Sequence, residues 1–153
     1  GIAMEAVSKG QDATQLLLSV TYRNVKTECE GIVSLLPKVC DKFLAREMTN
    51  SLYSYMDLSR QVEDMMHERG MEPTPPGTLS KIGARAGAFI NTVMNSGTSH
   101  IARLCIKESR WAAQRLERAF NALSHRCDAR VAGVCREIIE KERQSCERME
   151  AFI

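Results

Sequence analysis

The sequence predicts an all-α fold, a four-helix bundle, on three observations. Aromatic residues make up only 5% of 153 residues while Met, Leu, Ala, Glu and Arg are plentiful, a balance that favours helices packed on helices over a sheet. Apolar residues recur at the three-and-four spacing of an amphipathic helix along four long stretches. The one breaker-rich linker, "MEPTPPGT", falls between the second stretch and the third.

The elements follow in chain order. Residues 1–12 read as a tag scar, with Gly1-Ile2-Ala3 ahead of Met4, and a flexible N-terminus; residues 13–153 form a single domain. The first helix, 13–36, has its stripe at Leu18, Tyr22, Val25, Cys29, Ile32 and Leu36. Pro37 ends it, because the residue before a proline is pushed out of helical geometry. Asp41 caps the second helix, 41–69, with a stripe at Leu44, Met48, Leu52, Tyr55, Leu58, Val62 and Met66. Gly70 stops that helix. A shorter amphipathic helix is expected at 80–94. The fourth, 98–124, puts Ile101, Cys105, Glu108, Ala112, Arg115, Ala119 and Leu123 on one face. Asp128 caps the last, 128–152, whose stripe is Val131, Cys135, Ile138, Glu142, Ser145, Met149 and Phe152. The long helices make two antiparallel hairpins. The connection 71–97, with a helix able to span about 22 Å, is a long crossover that makes the second and third long helices run parallel. That is the ferritin-like arrangement of a four-helix bundle.

Composition narrows the function classes. A formal charge of +2 gives no bulk electrostatic case for nucleic acid or a membrane surface. No apolar run approaches the roughly 20 residues of a membrane span. The six cysteines show no C-x-x-C spacing, so they read as reduced, mostly structural thiols of a cytoplasmic protein. Cys40 and Cys127, near helix-helix turns, are the reactive candidates.

The runs "TYRNVKTECEGIVSLLPKV", "MHERGMEPTP", "NSGTSHIARL" and "IIEKERQSCERMEAFI" resemble an uncharacterised bacterial branch of the ferritin-like superfamily, a domain of unknown function in which two hairpins flank a short helix. The resemblance covers the chain from about Ala13 and points to spore-forming anaerobic bacteria. It implies a di-metal carboxylate site, with a Glu from each of two helices and a Glu-x-x-His from each of the others. This chain departs from that ligand set. Its histidines are His67, His100 and His125; only His67 has a carboxylate three residues earlier, Asp64. Both point away from the stripe of their helix, Asp64 by roughly 180° and His67 by roughly 125°, so neither is taken as a ligand.

Two other carboxylates survive the same test. Glu108 and Glu142 lie within roughly 20° of the centres of their stripes and come level when the last two helices fold back on each other. Two ionised carboxylates in a dry core repel and cost several kcal/mol, so something must resolve the pair. One reading is a structural polar layer, with Tyr22, Tyr55 and Arg115 or water satisfying the carboxylates. The other is a metal site of Glu108 and Glu142, with Glu28 reaching in from roughly 80° off its stripe. Such a site, all oxygen, would suit a hard divalent ion such as Mg²⁺, Ca²⁺ or Mn²⁺. No cofactor is otherwise expected. Trp111, Leu17 and Leu35, flanking their stripes, mark a candidate seam for a homodimer. Two functions stay open: a non-catalytic bundle acting through protein contacts, and a metal-binding or residual oxidoreductase ferritin-like protein.

Overall fold

A computed structural model describes residues 12–74, 76 and 97–153. Asp12 begins the first helix with a capping box: its carboxylate accepts the Gln15 backbone N–H at 2.7 Å, and the Gln15 side chain accepts the Asp12 N–H at 3.4 Å. The helix is α1, Ala13–Leu35, and it ends in a 3₁₀ turn, Leu36–Lys38, with Pro37 inside it. Asp41 then takes the Phe43 and Leu44 N–H groups, each at 2.9 Å, and starts α2, Lys42–Glu68. Next among the described residues is α3, Thr98–Leu123, closed by the 3₁₀ turn Ser124–Arg126. Asp128 caps α4, Ala129–Met149, by accepting the Arg130 N–H at 2.8 Å, and a last 3₁₀ turn, Glu150–Phe152, follows. The helix expected at 80–94 and the N-terminal segment 1–11 lie outside the described residues. Among the described residues there is no strand, and no helix is long and apolar enough to cross a membrane.

Gly70 has the geometry that stopping α2 requires. Its φ of 70° is left-handed, and around it the Gly70 N–H reaches the His67 carbonyl at 3.0 Å and the Met71 N–H the Met66 carbonyl at 2.9 Å. These two bonds satisfy end carbonyls that the helix cannot. Gly70→Ala should therefore cost about 1 kcal/mol even though a Cβ there meets nothing within 4 Å. Urea midpoints of the two proteins check this; an unchanged midpoint contradicts it.

The four helices pack on one another, α1 against α2, α3 and α4, and α4 against all three others. The apolar core has two parts. The larger runs through Leu17, Val25, Leu58, Leu116, Leu123 and Ile138; the smaller holds Leu35, Leu44, Met48, Ile101, Ile106 and Met149. A fully buried leucine such as Leu116 contributes about 1.5–3 kcal/mol by leaving water. The partition falls where α1 carries Glu28, α2 Ser51, α3 Ser109, and α4 Glu142 and Ser145, all buried.

Two faces differ from the sequence reading. On α3 the buried positions are Ile101, Ala102, Ile106, Ser109, Ala112, Ala113, Leu116 and Leu123; Ile101, Ala112 and Leu123 lie on the expected face, whereas Cys105, Glu108 and Ala119 are only partly buried and Arg115 is exposed. One residue further along the helix brings larger apolar side chains inward, and the gain from Ile106 and Leu116 sets the rotation. On α1, contact with three helices buries a second line beside the expected stripe: Thr14, Leu17, Thr21, Asn24, Glu28 and Leu35. Leu17 and Leu35 therefore lie inside the bundle, at 0% and 7% exposure, and do not form an outer dimer seam. Trp111, 43% exposed, remains on the surface.

A candidate buried carboxyl site

Glu142 is 0% exposed, and a carboxyl so placed must find donors or stay protonated. Asn24 on α1 supplies the donor. Its Nδ2 lies 3.2 Å from one carboxyl oxygen and 3.3 Å from the other. Burial first, and the charge of Glu28 second, push the Glu142 pKa well above the ordinary carboxylate range; the Asn24 hydrogen bond opposes them. Glu28 is also buried and accepts the Ser109 hydroxyl at 3.1 Å. Its pKa is raised to about 7, chiefly by desolvation, with Ser109 lowering it and Glu108 raising it. The carboxyl whose charge acts on Glu142 is thus Glu28. Glu108 is half-buried, and its charge acts on Glu28.

Tyr55 reaches the same layer from α2. It is 1% exposed, and its ionisation is strongly suppressed by burial, then by Glu28 and Glu142. Although Ser145 lies beside it, its hydroxyl finds no hydrogen bond of ordinary geometry among the described residues. Ser51 and Ser145 face each other at 3.5 Å between Oγ atoms. Tyr22 and Arg115 are elsewhere. Tyr22 is roughly 120° around α1 from Glu28, with Lys26 5.8 Å over its ring and Glu63 close by. Arg115 is exposed and stacks on Trp111 at 5.3 Å. It cannot satisfy a buried carboxyl, because the rotation of α3 that buries Leu116 turns it outward.

A partly enclosed cavity of about 70 Å³ opens beside this layer, between all four helices. Glu28, Glu108, Ser51, Tyr55 and Ser145 give it a polar wall; Leu35, Met48 and Met149 give it an apolar one. Among the described residues no three His, Cys, Asp or Glu side chains form a metal-ligating group. Asp64, His67, His100 and His125 are all exposed.

The cysteines are free thiols. Burial pushes Cys29 up to about 11, and Cys105 and Cys135 up to about 12, which removes the thiolate that reactivity requires. Cys40 is exposed and Cys127 half-buried.

Sequence reasoning missed Asn24, Ser109 and Ser51. A signal was present for Asn24: Thr14, Leu17, Thr21, Asn24 and Glu28 step by three and four, a buried-face spacing occupied largely by polar residues. Ser51 sits between Met48 and Tyr55 at the same spacing. Ser109 was hidden by the misassigned rotation of α3. Compared with protein-family models, curated proteins and solved structures, the chain matches none.

Proposed function

We propose that this chain is a non-catalytic, ferritin-like helical bundle that works through protein contacts, as a homo-oligomer, most simply a dimer. The observation that carries the reading is the pairing of Glu142 with Asn24 across the core. With Ser109 on Glu28, the buried carboxyls take their partners from the bundle itself. Such a layer suits a role in holding the four helices in register, as buried polar groups can do.

The ferritin-like arrangement has its own support. Between α2 and α4, Glu47 pairs with Arg148, Ser51 with Ser145 and Glu68 with Arg130, numbers that rise on one helix as they fall on the other. Between α3 and α4 the pairs are Ile106 with Cys146 and Glu117 with Arg143. Between α1 and α4, Thr14 with Asp128 and Asn24 with Glu142 rise together. Two antiparallel hairpins, with α2 and α3 parallel and a long crossover joining them, account for all three sets. The exposed ion pairs among these each contribute little to stability; their register is what matters. Protein contacts are favoured by large apolar side chains left on the surface, Phe43, Tyr53 and Trp111 among them.

The second reading, a metal-binding or residual oxidoreductase protein, draws on the electrostatic proximity of Glu28 to both Glu108 and Glu142. One experiment separates the two. The purified full chain is incubated with Fe²⁺, Mn²⁺ and Zn²⁺, desalted, and examined by elemental analysis and light scattering. Oligomeric protein with substoichiometric metal is expected. Monomeric protein that retains stoichiometric metal would sink the first reading in favour of the second.

A further inference from the structure

Charge sorts by helix on one face of the bundle. The charged residues exposed on α3 are all basic: Arg103, Lys107, Arg110, Arg115 and Arg118. Of its glutamates, Glu117 pairs with Arg143 on α4 and Glu108 is half-buried. The two signs are interleaved along the sequence yet separate on the surface. On α4 the exposed arginines are engaged by neighbouring helices. Arg130 pairs with Glu68, Arg143 with Glu117 and Arg148 with Glu47, while Arg136 lies 5.2 Å over the Phe120 ring. Glu137, Glu140 and Glu147, with Glu150 in the turn that follows, are exposed. Outside the described residues the sequence holds one acid, Glu5, against Lys9, Lys81 and Arg85, too little to cancel the α3 strip.

The two strips border each other. Around α3, Arg110, Arg103 and Gln114 lie within about 60° of Glu117, the residue that reaches α4. Around α4, Glu140, Glu147 and Glu150 lie within about 60° of Arg143, the residue that reaches α3. The contacts of Ile106 with Cys146 and of Glu117 with Arg143 set the levels along the antiparallel pair. Lys107 comes level with Glu150, and Arg110 with Glu147. Gln114 and Asn121, both uncharged, come level with Arg143 and Arg136.

We propose that this face binds a second copy of the chain, with Arg110 against the partner's Glu147 and Lys107 against the partner's Glu150. The inference rests on the homo-oligomer reading and on the antiparallel packing of α3 and α4, and it names the surface they imply. A two-fold axis parallel to the helices, midway between two such faces, exchanges α3 for α4 and leaves every level unchanged. Basic positions then meet acidic ones, and Arg143 and Arg136 meet uncharged residues. Both strips are satisfied at once, and the contact closes at two chains. A face two helices wide and about 25 Å long is small for a specific interface, so complementary charge sets the pairing.

Sedimentation velocity of the purified full chain and of two charge-reversed variants tests the assignment. One variant carries Lys107→Glu and Arg110→Glu, the other Glu147→Lys and Glu150→Lys. The wild type is expected to dimerise at about 0.05 M salt and to dissociate at about 0.5 M, where charge reaches only about 4 Å. Each variant alone should dimerise at least about tenfold more weakly, because like charges now oppose each other. Mixed in equal amounts, the two should form a heterodimer of about wild-type affinity. Charges that served only within one chain would not be rescued by mixing. All four positions are exposed, and circular dichroism reports each fold. If a reversal does not fold, Lys107→Gln with Arg110→Gln takes its place and should weaken the dimer a few-fold. A wild-type dimer that the variants match overturns this surface and leaves the homo-oligomer reading standing. Weakened variants that do not recover on mixing overturn the pairing. A wild type that is monomeric at both salts overturns the surface and the homo-oligomer reading together; saturable shifts on α3 with polyglutamate would then give the strip to an acidic partner of another kind.

Discussion

Raising the pH from about 4.5 to about 7 is expected to destabilise this fold, by about 3 kcal/mol from Glu28 alone. The unfolded chain releases the Glu28 proton near its ordinary value of 4.5, whereas the folded protein holds it until about 7. Between those values the folded state carries the extra proton, so each step up in pH favours unfolding. The stabilisation is complete below the unfolded value and is lost as pH rises through the folded one. Glu142 acts in the same direction, and its loss extends higher because its pKa is raised well above the ordinary range. Most bundles behave in the opposite sense at mildly acidic pH, because exposed or paired carboxylates favour the folded state when ionised. Urea unfolding across this range measures the effect, with the slope checked for constancy. A midpoint that stays level or rises between about pH 5 and about pH 7 defeats the prediction. Glu28→Gln keeps the shape and removes the titration; it should flatten the profile and exceed the wild type in stability at about pH 8.

The same two carboxyls show how much of this protein was legible in its sequence. Helix existence was readable, because periodicity and caps act locally: Asp41, Gly70 and Asp128 each mark an end that backbone hydrogen bonds then form around. Glu142 was readable because α4 has a single apolar stripe, so a glutamate at its centre has nowhere else to point. Rotation about the axis of α3 was not. Its apolar residues are small or scattered, so the expected face and the buried one overlap at Ile101, Ala112 and Leu123 and part at Arg115 and Leu116, which lie about 100° apart; packing against α1 and α4 decides between them. Glu28 was placed on a flank because the first stripe was read as the only buried one. α1 buries a wider arc than α4, although both touch the other three helices, and how wide an arc a helix buries is a tertiary fact that no local pattern carries. The polar line of Thr14, Thr21, Asn24 and Glu28 is the residue-level trace of that wider arc.

Asn24 and Glu142 permit a sharper test of what the layer does. Asn24→Leu removes the one side-chain donor seen on Glu142 among the described residues and leaves a carboxyl of 0% exposure against apolar groups. It should cost about 2–4 kcal/mol. Glu142→Leu leaves the Asn24 amide, 5% exposed, without its acceptor and should cost about 1–3 kcal/mol. Joined in one chain, the two changes remove both halves of the pair, and apolar packing replaces it. The double variant should then be far more stable than the sum of the two costs allows, close to the wild type or above it. The coupling energy between the sites is expected to be about 2 kcal/mol, read from urea unfolding of all four proteins at one pH. Additive costs would mean that the pair is not a unit. Stability alone does not test the register role, so the double variant is also examined by amide nuclear magnetic resonance. A layer that fixes register keeps one set of dispersed signals only while it is present. Without it, the leucines at 24 and 142 are free to meet other apolar positions, and several packings of similar energy compete. A stable double variant with broadened or multiplied signals is therefore the expected result, whereas a single sharp set would show that the apolar core specifies the arrangement unaided.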